Sequence, residues 1–341
     1  MASPRGAATV NGFMLAGIIM TAGLWASGAF ASGVPAAAPG ATITSIDLPA
    51  EVGQPADRLT PPGPTIGGCP VFPANNAWNQ DISTLPVLAR STQMISTIQS
   101  IGGDDLHPDF GADPSYGIPY LVVPDDQAAV PITYDAYGDE SDPGPFPIPL
   151  TAPVESGSDA HVLVVQQGTC TLYELYAASR TTTGWRADAG AKWDLATGAL
   201  RPIGWTSADA AGLPILPGLV RYDEVASGVI RHAIRVTFAR TQRGFVLPAT
   251  HFASSDSNPN LPAMGQRLRL RADFDISALT GAARVIAVAM QQYGLIVADN
   301  GSNWFFQGAT DPRWNDDELN QLKRIPGTAF EVVDTGPART S

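Results

Sequence analysis

The sequence predicts a mainly β protein, built as an antiparallel sandwich or barrel-like domain with a few peripheral helices. Three observations carry this. Short runs rich in Val, Ile, Tyr, Phe and Thr outnumber helical patterns. Turn formers separate them: Gly 34 and Pro 30 in 341 residues exceed the usual shares of about 7% and 5%. Charged residues are only 15%, against roughly 25% in an average domain, which excludes a coiled coil or long helical bundle. A hydrophobic share of 44% supplies a core and argues against disorder. The formal net charge of -12 offers no basic excess for phosphate, so nucleic acid is not an expected partner.

Residues 1–31 read as a secretory signal. Arg5 supplies a short basic start, residues 13–30 are apolar and uncharged, and Ala29-Phe30-Ala31 fits a cleavage site before Ser32. An uncleaved anchor is the competing reading, at the short end for a membrane span. No other apolar run approaches membrane length, so no stable span is expected once the signal is removed. Residues 32–67, rich in Ala, Pro and Gly, form a tether. A single domain is expected over 68–336, with a tail at 337–341. The expected location is secreted, extracellular or periplasmic. In that setting Cys69 and Cys170 are expected to bridge; two buried thiols are the alternative. There is no C-x-x-C, which rules out a thiolate zinc site.

Helices are expected at 91–101, where Met94, Ile95, Ile98 and Ile101 recur at helical spacing before Gly102-Gly103, and at 277–293. A third, 315–325, opens on an Asn315/Glu318 capping box. Strands 161–166 and 171–176 flank Gln167-Gly168-Thr169 as a hairpin, continued by 189–195. Further strands are expected at 118–123, 130–134, 232–238, 244–247, 267–276, 294–298, 303–307 and 329–333.

Carboxylates inside apolar strands carry most of the chemical information in so weakly charged a chain. Glu174 lies within Leu172-Tyr-Glu-Leu-Tyr176; burial beside a cleft would raise its pKa and suit a general acid, while an edge or capping role is the alternative. Asp223 and Glu224 are the candidate partner carboxylates, or else caps of a helical turn. His232 shares a strand face with Ile234, Val236 and Phe238 and is either an auxiliary acid or base or a hydrogen-bonded core histidine. Candidate substrate-binding residues are Trp205, Asp209, Arg235, His251, Asp299 and Trp304, each with a structural alternative: Asp209 as a backbone-binding loop residue, the tryptophans as core aromatics. Asp299-Asn-Gly-Ser-Asn303 reads as a turn; its oxygens could hold Ca²⁺, but the spacing is not an EF-hand, and no metal or cofactor is expected. Arg267, Arg269 and Arg271 alternate with apolar residues as a solvated, salt-bridged face, or as an anion-binding groove wall for a uronic-acid polymer.

Several chemistries are unsupported. There is no G-x-S-x-G, no G-x-x-x-x-G-K-[ST], no G-x-G-x-x-G after a strand and no H-E-x-x-H. Lys occurs only as Lys192 and Lys323. Four segments, Asn76-Ala-Trp-Asn-Gln-Asp-Ile-Ser, Leu106-His-Pro-Asp-Phe-Gly, Trp205-Thr-Ser-Ala-Asp-Ala-Ala-Gly-Leu-Pro-Ile-Leu and Tyr293-Gly-Leu-Ile-Val-Ala-Asp-Asn-Gly, resemble those of an uncharacterised family of secreted bacterial proteins. The resemblance covers about residues 69–335. It implies an exported, self-contained module and no activity, so no residue role is carried over from it. Export, acidity, β architecture and loop aromatics together lead to the expectation of a carbohydrate-active enzyme, a glycoside hydrolase, acting on a polysaccharide or other extracellular polymer. A non-catalytic carbohydrate- or surface-binding domain and a polysaccharide lyase are the alternatives.

Overall fold

Leu295–Asn300 sets the frame of the molecule. From Leu295 to Ala298 every residue is buried, the pattern of a strand covered on both faces. In the computed structural model, which describes residues 63–340, this strand pairs parallel with Ile234–Phe238 and antiparallel with Arg267–Leu270. Phe330–Val332 closes one side of the sheet, and Phe305–Gln307 and then His107–Asp109 extend the other, for six strands. The predicted signal and most of the tether lie outside the described residues. The remainder of the tether includes Thr65–Ile66, which pairs with Cys69–Pro70 as a small hairpin.

The predicted hairpin and its continuation form a meander. Val162–Gln166 pairs with Thr171–Tyr176, which pairs with Ala189–Asp194. Tyr120–Val123 joins this four-stranded sheet in parallel. Ile132–Tyr134, Trp185–Ala187 and Ser179–Arg180 make a three-stranded sheet. The chain is therefore mainly β, but its sheets are mixed rather than antiparallel, with parallel pairs in three of them. Parallel partners are joined by long crossovers that leave no local turn signal. Among the described residues no sheet closes into a barrel.

Ser91–Ile101 buries Met94, Ile95 and Ile98 and packs on Phe330–Val332. Gly281–Gln292 buries its alanines, Ile286 and Met290 and packs on Arg267–Leu270. It begins four residues later than the apolar spacing suggests. Glu318 accounts for this: its carboxylate accepts the Ala282 N–H at 2.7 Å and occupies the space a Cβ on Gly281 (φ +52) would need. Asn315 caps its own helix, Asp316–Leu319, by accepting from Asp317 N at 3.0 Å and Glu318 N at 3.4 Å. The reciprocal half of the capping box is diverted to the neighbouring helix.

Two strand-level expectations change. Residues 244–247 form no strand; Phe245 makes isolated bridges to Met264 and to Arg339 of the predicted tail. Of the arginine row, only Arg271 is solvated. Arg267 is buried and donates to the carbonyls of Ala77 (2.6 Å) and Tyr293 (2.5 Å), and burial lowers its pKa to about 9. Arg269 binds Glu331 and the carbonyls of Ile82 and Leu85. These side chains fasten the 77–85 segment to the sheet. Cys69 and Cys170 are disulfide-bonded, with Cα atoms 5.3 Å apart. No helix among the described residues is long and apolar enough to cross a membrane.

Candidate functional site

The site grows from strand Ile234–Phe238. Alternation places Ile234, Val236 and Phe238 on one face and Arg235 and Thr237 on the other. The apolar face packs inward: Phe238 meets Trp304 edge-on at 5.0 Å, and the Trp304 indole donates to Gln99 Oε1 at 2.9 Å. The polar face lines a cavity of about 240 Å³. Neighbouring strands bring Asp299, in register with Thr237, together with Phe305, Gln307 and Asp109 to the same cavity. Glu155, Asp159 and His161 arrive from the loop that leads into the four-stranded sheet.

His161 is buried, and each ring nitrogen faces an acceptor. Nδ1 lies 2.5 Å from Glu155 Oε2 and Nε2 lies 3.0 Å from the Ala208 carbonyl. A carbonyl only accepts, so Nε2 carries a proton, and Nδ1 can approach the glutamate so closely only with a proton between them. Burial opposes charge on His161, but the hydrogen bond and charge of Glu155 outweigh it and hold the imidazole above its usual pKa. Glu155 moves the opposite way. Burial pushes its pKa up, and the bonds and charge of His161 bring it below the ordinary value. His161 thus positions an ionised Glu155 and has no free nitrogen with which to act as a base.

Arg235 is buried beside Asp209, with Nη2 3.1 Å from Asp209 Oδ2. The charges meet without aligning: Arg235 Nε and both Asp209 carboxylate oxygens lack hydrogen-bond partners among the described residues. These atoms are sealed from solvent, so the pair is a buried and imperfectly satisfied contact behind the cavity wall. Asp209 is held by the turn around it, where its N–H donates to Ser207 Oγ at 2.9 Å. That turn is tightened by Gly212 (φ +67), whose missing side chain admits Thr250 Oγ1 and the Trp205 carbonyl. Burial raises the Asp209 pKa to about 7 against the attraction of Arg235.

Two further acids shift upward. Asp109 is raised by burial and then by the charge of Glu155, with Arg235 opposing, and no hydrogen bond stabilises its carboxylate. Asp299 is raised by burial, again against Arg235. Two neighbouring spaces share lining residues with the cavity. One, of about 240 Å³, shares Asp159, Asp299 and Asn300 with it and adds Tyr137, Tyr176, Ser207 and His251. The other, of about 520 Å³, shares Asp109 and adds His107, Asp113, Tyr116 and Lys323.

The structure gathers some of the sequence candidates and separates others. Arg235, Asp299 and His251 line this run of cavities, and Asp209 stands directly behind Arg235. Trp205 lies under the Arg201 guanidinium, 5.6 Å from its ring centre. Trp304 is wholly buried between Phe238 and Phe330. Glu174 is also fully buried. It accepts from Ile215 N and Leu216 N at 2.9 Å each and from Trp193 Nε1 at 3.1 Å. Burial pushes its pKa up, while every close neighbour is a donor that fits the carboxylate. It caps the turn Leu216–Gly218. Glu224 binds Arg221 (2.6 Å) and His232 Nε2 (3.1 Å), and His232 Nδ1 faces the Ala233 carbonyl at 2.8 Å. Asp223 is exposed and pairs with Arg313 at 2.9 Å. None of Glu174, Asp223, Glu224 and His232 lines the three cavities.

The residues that sequence reasoning passed over are Asp109 and Glu155. Asp109 had a signal, its place in the Leu106-His-Pro-Asp-Phe-Gly segment. Glu155 had a weaker one, the Gly/Ser-rich loop that closes on His161 as the chain enters an apolar strand. Among the described residues no group of three or more His, Cys, Asp or Glu is arranged to hold a metal ion. Comparisons with protein-family models, curated proteins and solved structures give no match to the chain.

Proposed function

We propose that the protein is a glycoside hydrolase that acts on an extracellular polysaccharide, with Asp109 as general acid and Glu155 as the ionised carboxylate. The carrying observation is the divergence of these two acids within one cavity: Asp109 is driven up by burial and by Glu155, and Glu155 is held down by His161. Two carboxyls whose surroundings push their proton affinities apart are the pattern of glycosidic bond cleavage. Asp109 protonates the leaving oxygen. Glu155, kept ionised and oriented by His161, stabilises the positive charge that develops on the sugar ring; as the C–O bond breaks, water adds to that carbon and gives its proton to Glu155. Arg235 lines the same cavity and offers its guanidinium to a sugar hydroxyl. Export through the N-terminal signal and membership of the exported family it resembles belong to the same reading.

The charge of the site favours a neutral glycan. Even with Asp109 protonated, Glu155, Asp159 and Asp299 outnumber Arg235 and His161 in the cavity, an excess of acid that repels a uronate. The lyase alternative needs His232 and a tyrosine beside Arg235 or the arginine row, and His232 instead faces Glu224.

The test is reducing-end release from a panel of neutral polysaccharides by the purified protein and by Asp109→Asn and Glu155→Gln. Loss of about 10²–10⁴ in rate is expected for each, the span of an acid–base contribution. Undiminished turnover by both variants overturns the assignment. Binding of the glycans with no release by the wild-type protein makes it a binding domain instead.

A further inference from the structure

We propose that the three adjoining cavities are one groove for an extended, uncharged polysaccharide chain, which the protein engages internally, with sugars on both sides of the Asp109–Glu155 pair. This rests on the glycan reading above and deepens it to a mode of attack. The cavities share walls: Asp159, Asp299 and Asn300 line both smaller ones, and Asp109 lines the central and the largest. The central space of about 240 Å³ falls short of the ~300–1,000 Å³ of a self-sufficient small-ligand site. Its occupant must extend into the neighbours.

The distribution of aromatic surface points the same way. Of the aromatic residues described, only Tyr116 (56%) and Tyr137 (49%) are strongly exposed, and one stands in each outer cavity. An exposed ring with a hydroxyl at its edge suits the apolar face and polar rim of a pyranose. Between them, His107 of the largest cavity stacks face to face on Phe305 of the central one, with centroids 4.1 Å apart and planes 13° from parallel, an aromatic contact in the wall where the two meet. Burial and then Lys323 lower the pKa of His107, which keeps that contact uncharged at neutral pH. Acids line the groove on both sides of the reacting pair, Asp159 and Asp299 on one and Asp113 on the other. They accept from hydroxyls and repel a polyuronate. The acid pair lies inside the groove rather than at a closed end, so a chain passes through and is cut away from its termini.

The experiment uses calorimetric titration of the full-length Asp109→Asn protein, which binds without turning over. The probes are di- and hexasaccharides of β-1,4-linked glucose, xylose, mannose and N-acetylglucosamine, with a galacturonate hexamer as the charged control. A neutral hexamer is expected to bind at least tenfold more tightly than its dimer. Adding Tyr116→Ala or Tyr137→Ala is expected to weaken hexamer binding about three- to tenfold, the scale of one aromatic contact. Both side chains are exposed, and an unchanged melting temperature confirms that the variants are folded. Equal affinity for dimer and hexamer, or tyrosine variants that bind the hexamer normally, overturns the groove while leaving the hydrolase reading intact. Failure of a folded protein to bind any neutral glycan, or preference for the galacturonate, overturns both.

Discussion

Glu174→Gln separates a structural carboxylate from a catalytic one. Glu174 Oε1 accepts from Ile215 N and Leu216 N, and Oε2 lies 3.1 Å from the Trp193 indole nitrogen. Glutamine keeps the shape and one oxygen. With that oxygen turned to the two backbone N–H groups, the new NH₂ faces the indole N–H, donor against donor. The variant loses one charge-assisted bond and leaves a buried donor without a partner, together about 2–4 kcal/mol. For a chain of this size each kcal/mol moves the Tm by roughly 1.5–2 °C, so a fall of about 3–8 °C is expected. The assay is thermal unfolding by circular dichroism, paired with initial rates well below the transition on whichever substrate the panel identifies. Rates per folded molecule should stay within about twofold of wild type, because Glu174 lines none of the three cavities and its oxygens are engaged by backbone N–H groups and the Trp193 indole. An unchanged Tm refutes the capping argument. A loss of rate on the scale of general acid catalysis, about 10²-fold or more, at an unchanged Tm returns Glu174 to the reaction.

Activity should rise with pH through the lowered Glu155 pKa and fall through the raised Asp109 pKa, and Asp109→Asn should lose the alkaline limb; a wild-type rate with no alkaline fall counts against Asp109 as the acid. Asp209 titrates near 7 in the folded chain and near 3.8 otherwise. Between about pH 4 and 7 the unfolded chain releases a proton that the folded chain keeps, so stability falls as pH rises through this window. Asp209→Asn should remove that fall, read as a denaturation midpoint difference that grows with pH, and a constant difference defeats the assignment. Replacing both Cys69 and Cys170 with Ser opens a loop of 101 residues, worth up to about 4.7 kcal/mol in the chain-entropy model. A Tm lower by roughly 10 °C is expected, and an unchanged Tm means that the bridge does not constrain the unfolded chain as that model requires.

Local order was legible where neighbours in sequence are neighbours in space. The stripe of Met94, Ile95 and Ile98, stopped by Gly102-Gly103, specifies its helix without reference to the rest of the chain. The 162–194 meander follows from alternation and one turn. Pairing between distant strands was not legible: nothing near Tyr120–Val123 indicates that it lies parallel to Val162–Gln166, and nothing near Asn315 indicates that Glu318 serves another helix. The site divides along the same line. Alternation puts Arg235 and Thr237 on one face, but their partners Asp109 and Glu155 come from segments 126 and 80 residues before Arg235. Glu174 misleads because an acid in an apolar strand has two explanations, and the one that applies depends on donors more than 40 residues away.

The disulfide also fixes how the molecule bears load. The described chain enters through the hairpin Thr65–Ile66 and Cys69–Pro70, and Cys69 is bonded to Cys170 at the turn of the 162–176 hairpin. Tension applied from the N-terminal side can peel that first hairpin only as far as residue 69. Beyond that point the force bypasses the backbone between the cysteines and pulls on the bend of a deeply buried meander. The loop from 70 to 169, which carries Asp109, Glu155 and His161, lies outside the line of force, whereas Arg235 and Asp299, beyond Cys170, remain within it.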